Sequence, residues 1–314
     1  MNSVIGQKNF IAVLVVSVLI LLASESAMGQ RYSGWSAPEN IGASVNTAAL
    51  EGCPFISKDN LSLFFASNRS GGSGQTDLYV STRANKNAAW DVPVNLGPVV
   101  NSASAEVCPT LSISGNYLYF VSNRPGGCGG DDIYVSRRRK GRNSVGWETP
   151  VNLGCQFNSP QNDITPSLFT DENDTTYLYF SSNRLGGLGL MDIYVSIQAP
   201  DGTFGTPVLV EGLNTEFNDQ RPNIRMRDGL EIFFESDRTG TIGMTDLYSS
   251  TRETTLSVWT APENLGSFVN SALAEGRPSL SWNGTELYFM STRTGGFGSN
   301  DIYVVRRSRI RSGK

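Results

Sequence analysis

The sequence predicts an all-β chain, a single five-bladed β-propeller built of four-stranded blades. Three observations carry that expectation. One word recurs five times: LFFASNRSGGSGQTDLYV ending at Val80, YLYFVSNRPGGCGGDDIYV at Val135, YLYFSSNRLGGLGLMDIYV at Val195, EIFFESDRTGTIGMTDLYS at Ser249 and ELYFMSTRTGGFGSNDIYV at Val304. Prolines Pro54, Pro109, Pro166, Pro222 and Pro278 mark the same phase of each unit, 55, 57, 56 and 56 residues apart. Each unit holds four short runs of period-two alternation between turn residues, with no sustained helical period. Units that cannot bury both faces alone, repeated five times, form radial sheets closed into a ring.

The elements follow in chain order. Residues 1–29 read as a secretory signal: Lys8 supplies the positive start, residues 10–23 are apolar, and Ala27, Met28 and Gly29 are small or neutral before a cleavage point. The mature propeller is then 30–314, exported to the periplasm or the medium without stable membrane insertion, and monomeric. Blade-like repeats span about 46–97, 101–154, 158–212, 214–266 and 270–306. In the second copy the four strands, A to D, read PTLSI, YLYFVS, DIYVSR and WETPVNL. The last repeat stops after strand C, while GWSAPENIG near the start matches the D segment VWTAPENLG. Residues 35–41 therefore supply the missing outer strand of the fifth blade and remove an exposed seam. Prolines Pro38, Pro93, Pro150, Pro207 and Pro262 fall on strand D, where a missing N–H interrupts no internal ladder. Trp35, Trp90, Trp147, Phe204 and Trp259 precede them by three residues and read as packing between blades.

With strand, turn, S-N-R, G-G-x-G and D-I-Y in place, the chain resembles the TolB-type WD-like propeller repeat of exported bacterial proteins over residues from about 31 to 306. That resemblance implies an interaction platform more than an activity, so function has to come from a site.

Composition narrows the chemistry. The net charge is −4, and removing residues 1–29 takes one lysine and one glutamate, leaving it unchanged. Nothing in that balance points to nucleic acid. The basic runs at residues 136–142 and 306–311 read as solvated strand ends. Histidine is absent, which excludes His-based metal ligation and imidazole-activated nucleophiles; no metal and no cofactor are expected. A glycine-rich loop that always runs from strand to strand is not a phosphate loop, which would open a helix.

Each blade repeats an acid three residues before the strand A proline: Glu51, Glu106, Asp163, Asp219 and Glu275. These channel-mouth acids read as partners of the S-N-R arginines, with a ring of ligand-binding carboxylates as the competing reading. Asp77, Asp132, Asp192, Asp246 and Asp301 read as loop caps. Symmetry breaks just before the proline, where the residues are Cys53, Cys108, Thr165, Arg221 and Arg277. Arg221 and Arg277, with Asp219, Glu275, Asn214 and Asn270, form the candidate ligand site, suited to an acidic sugar or side chain. Their competing role is ion pairing with Asp219 and Glu275. No catalytic residue is assigned. Cys128 pairs with Cys155 in the expected disulfide scheme; Cys53 and Cys108 can bond if both lean into the channel. The sequence thus predicts an exported, non-catalytic module that binds a protein or a cell-envelope glycan through its loop-rich face. The alternative is a carboxylate-dependent glycoside hydrolase.

Overall fold

A computed structural model describes residues 32–139 and 146–310. The expected signal segment and residues 140–142 and 311 of the basic runs lie outside the described residues. The described chain forms five four-stranded antiparallel sheets, with no helix. Blade 1 is β2 (Glu51–Ile56), β3 (Ser62–Ser67), β4 (Asp77–Thr82) and β5 (Val94–Asn95). Blade 2 is β6 (Glu106–Leu111), β7 (Tyr117–Ser122), β8 (Asp132–Arg137) and β9 (Val151–Asn152). Blade 3 is β10 (Asp163–Thr170), β11 (Thr176–Ser182), β12 (Asp192–Ile197) and β13 (Val208–Leu209). Blade 4 is β14 (Asp219–Ile224), β15 (Glu231–Ser236), β16 (Asp246–Thr251) and β17 (Glu263–Asn264). Blade 5 takes β18 (Glu275–Leu280), β19 (Glu286–Ser291) and β20 (Asp301–Arg306) from the C-terminal end and β1 (Glu39–Asn40) from the N-terminal end.

The ring closes through β1, with Glu39 opposite Val304 and Asn40 opposite Tyr303. The Ser36 N–H donates to Arg306 O at 2.7 Å, and Tyr32 bridges Arg309 further out. Strand D is much shorter than the sequence suggests. In all five blades it begins directly after the proline and lasts two residues, because the proline has no N–H to continue the ladder.

Every innermost strand carries a bulge at the residue before its proline, where the register shifts, as between Gly52 and Phe55 or Gly276 and Ser279. Cys53, Cys108, Thr165, Arg221 and Arg277 all sit there in the left-handed region, with φ of 49, 52, 54, 57 and 55°. That conformation is costly for residues with a Cβ, and its repetition means the surrounding sheets impose it. Cys53, Cys108, Thr165 and Arg277 line the pore at this point.

Strand B is buried on both faces between neighbouring blades; Phe65, Phe120, Phe180, Phe234 and Phe289 are fully buried, each adding about 1.5–3 kcal/mol relative to exposure. The D-segment aromatics pack between blades as expected: Trp90 meets Tyr288 edge-on at 6.4 Å, Phe204 meets Tyr119 at 6.2 Å and Trp35 meets Phe233 at 6.0 Å. Each indole is roofed by a guanidinium: Arg83 over Trp90, Arg138 over Trp147, Arg252 over Trp259 and Arg307 over Trp35, at 4.3–4.5 Å. Arg138 and Arg307 are therefore not solvated strand ends. Blade 3, which has Phe204 in place of tryptophan, has Gln198 in place of the arginine.

Candidate functional site

The five channel-mouth acids are structural. Glu51, Glu106, Asp163, Asp219 and Glu275 have no exposed surface. Each pairs with the arginine of its own blade: Glu51 with Arg69 at 3.1 Å, Glu106 with Arg124 at 3.0 Å, Asp163 with Arg184 at 2.6 Å, Asp219 with Arg238, and Glu275 with Arg293 at 3.1 Å. The remaining lone pairs are taken too; Glu106, for example, accepts from Ser102 N–H at 2.7 Å and Ser122 Oγ at 2.8 Å. A carboxylate sealed in this way has nothing left for a ligand. The loop-capping reading of the second acid set also holds: Asp77 accepts the N–H groups of Ser73 and Gly74 at 2.6 and 3.0 Å.

Four members of the sequence-predicted ligand set have other partners. Asp219 and Glu275 do not pair with Arg221 and Arg277, because Arg238 and Arg293 already occupy them. Asn270 is spent as a strand clamp, accepting the Leu247 N–H at 2.9 Å and donating to Leu247 O at 3.1 Å. Asn214 does the same with Ile193, at 2.7 and 3.0 Å. Neither amide faces a ligand.

What the structure does bring together at the pore is Arg221, Arg277 and Glu235. Glu235 stands on β15 where the other blades have Ala66, Val121, Ser181 and Met290. One of its oxygens takes the Arg221 guanidinium, and the other accepts the Arg277 backbone N–H at 2.9 Å. The Cys53–Cys108 disulfide, with Cα atoms 4.6 Å apart, and Thr165 line the other side of the pore. Arg277, the disulfide, Thr165 and the strand A prolines enclose a void of about 20 Å³. Burial and the neighbouring Arg221 charge push the Arg277 pKa down to about 10. The second disulfide, Cys128–Cys155, is also formed, with Cα atoms 5.4 Å apart. Sequence reasoning missed Glu235; its signal is a lone acid in an otherwise apolar or small strand B position, together with Gly52 and Gly276 one residue before the bulge.

A larger concavity lies elsewhere, in a groove of about 1090 Å³ where blade 5 meets blade 1. The clasp segment gives it Trp35 and Glu39, the strand B start gives Glu286, and Arg83, Lys86, Arg306 and Arg307 complete its charged lining. Arg306 sits between the two glutamates: its Nε donates to Glu286 at 3.2 Å and its Nη1 reaches Glu39. Glu286 is further held by Asn60 Nδ2 at 3.1 Å and by the Arg83 guanidinium at 3.7 Å. Glu39 is exposed, at 65% of its side chain, whereas Glu286 shows 14%. Two solvent-reaching carboxylates thus share one concave, polar, indole-flanked site.

No family model matches the sequence, and no curated protein matches it. Solved structures do. A thermostable family-43 glycoside hydrolase superposes with a TM-score of 0.54 at 16% identity, covering 86% of this chain and 92% of its own. The GH62 α-L-arabinofuranosidase catalytic domain of Coprinopsis cinerea gives 0.56 at 13%, covering 89% and 97%. A GH43 endo-arabinanase from Bacillus licheniformis gives 0.55 at 15%, covering 84% and 94%. The likeness is one of fold. It corrects two expectations: the structural relatives are glycoside hydrolases in place of TolB-type repeat proteins, and the expected non-catalytic binding module finds no support among them.

Proposed function

We propose that the protein is a carboxylate-dependent glycoside hydrolase that works on pentose-containing polysaccharide in the groove between blades 5 and 1. The observation that carries this reading is the Glu39–Arg306–Glu286 arrangement, two carboxylates facing one concavity across a single guanidinium. Glycosidic cleavage needs such a pair, one carboxyl to protonate the leaving oxygen and one to act as nucleophile or to activate water. Glu286, gripped by Asn60, Arg306 and Arg83, suits the fixed carboxylate; Glu39 is the one open to solvent and to a leaving oxygen. Trp35 lines the groove and is held there between Phe233 and the Arg307 guanidinium, so it forms a fixed wall of the site. The names of the structural relatives, arabinofuranosidase and arabinanase among them, support the choice of a pentose glycan. The ring acids are excluded from this role by their burial. In the concavity between blades 3 and 4, Asp171 and Asp228 are less suited, since they are taken up by the N–H groups of their own turns.

Two disulfides fit an oxidising compartment, and among the described residues no helix is long and apolar enough to cross a membrane. We read the protein as exported, and the repeat itself as TolB-like in how it builds the ring. Reducing-end release from arabinan, arabinoxylan and xylan tests the activity. Wild type should cleave at least one, and Glu286→Gln and Glu39→Gln should each lose about a hundredfold or more. No release from any of them, or release untouched by both substitutions, rejects the reading.

A further inference from the structure

The pore carries a charge imbalance that the hydrolase reading does not use. Arg221 and Arg277 face one carboxylate, Glu235, because Asp219 and Glu275 are neutralised by Arg238 and Arg293. Glu235 binds the guanidinium of Arg221 but only the backbone N–H of Arg277. The Nε atoms of both arginines are buried without a hydrogen-bond partner. Buried donors of that kind are expensive unless something accepts from them. The Arg277 guanidinium also reaches across the seam into blade 1, where a Cβ on Gly52 would lie 2.6 Å from its Nη1. Gly276 leaves the matching space for Glu235, whose Oε2 would be 1.8 Å from a Cβ there. Glycine at both places clears room for the charged groups, and blades 2, 3 and 4 carry Val107, Ile164 and Gln220 instead.

We propose that the mouth of the pore binds one monovalent carboxylate group, captured by Arg221 and Arg277. The single excess positive charge sets the valence: a monoanion brings the cluster to neutrality, whereas a phosphate dianion overshoots it. A planar carboxylate matches the guanidinium fork. The void of about 20 Å³ beside Arg277 is too small for a sugar ring. The carboxylate therefore enters alone while the rest of its molecule stays on the surface, where the side chain of Arg221 is 21% exposed. Its source is either a free small acid or the carboxyl of a uronic acid residue. This site is on the innermost strands, apart from the groove, and its occupancy is read without any hydrolytic activity.

Thermal unfolding of the mature protein at fixed ionic strength tests this. Sodium acetate and sodium galacturonate are the probes, with sodium chloride and galactose as references. Binding to the folded state alone raises the melting temperature. Acetate and galacturonate should both raise it; a rise with acetate only assigns the free acid and one with galacturonate only assigns the sugar. Arg277→Met should weaken the response at least tenfold in concentration and leave the unliganded melting temperature equal or higher, since it removes a repulsive charge. Should Arg277→Met not fold, Arg221→Thr, the residue type blade 3 carries as Thr165, provides the same comparison. Glu235→Gln should strengthen carboxylate binding by removing the competing anion. A chloride response equal to acetate, a flat wild-type response to both carboxylates, or an undiminished response in both arginine variants overturns the proposal.

Discussion

Glu235 accepts the backbone N–H of Arg277 at 2.9 Å, so a carboxylate of blade 4 holds the left-handed bulge of blade 5 in place. Its second oxygen pairs with Arg221. The pore is thus cross-braced by a residue that no other blade shares. Glu235→Ala leaves Arg221 without its partner and frees the bulge, and breaking a buried pair from one side costs about 3–5 kcal/mol. Urea unfolding should show a lower midpoint by that measure. A variant within about 0.5 kcal/mol of wild type would mean the pair carries no structural weight.

Glycine substitutions at the pore should rank in a definite order. A Cβ at Gly276 meets the Glu235 carboxylate at 1.8 Å, and that carboxylate is fixed at both oxygens. A Cβ at Gly52 meets the far end of the Arg277 side chain at 2.6 Å, which can swing aside. Gly276→Ala should therefore cost about 1–3 kcal/mol and Gly52→Ala less. The reverse order in chemical denaturation would contradict the packing described.

The ring was legible because repetition multiplies weak signals. The phase of the prolines, the closing segment with Trp35, and the equivalent places of Cys53 and Cys108 all follow from aligning five copies. The candidate sites were not legible, for the opposite reason: they rest on residues that break the repeat and meet only in space. Glu235 lies 14 residues from Arg221 and 42 from Arg277. Glu39 and Arg306 are 267 residues apart. Proximity along the chain even misled, since Asp219 is two residues from Arg221 yet belongs to Arg238. The bulge between them points the two side chains to different partners.

Alkaline stability should depend on Tyr119. Burial in the seam against Phe204 pushes its phenol up to about 12, with Tyr117 adding to the shift. An unfolded tyrosine ionises near pH 10, so the unfolded state loses this proton first. The stabilisation is then full below pH 10 and is lost as the pH rises toward 12, by about 2–3 kcal/mol in all. Tyr119→Phe should flatten the fall in stability between pH 10 and 12. An unchanged slope would place the phenol in contact with solvent.

Removing residues 31–42 takes away β1 and withdraws Trp35 from between Phe233 and Arg307. Blade 5 is left with three strands and an open edge. Loss of one such aromatic alone costs about 3–5 kcal/mol, so the melting temperature should drop by ~10 °C or more, with aggregation. A truncated protein that stays monomeric with the same melting temperature would mean the ring does not close through this segment.

The groove between blades 5 and 1 is expected to receive the glycan, which a crystal structure of the Glu286→Gln variant soaked with an arabinose or xylose oligosaccharide would reveal. The groove should hold a sugar ring beside Trp35, with a glycosidic oxygen within hydrogen-bond reach of Glu39. An oligosaccharide bound on the loop-rich face instead, with the groove holding only solvent at saturating ligand, would contradict it.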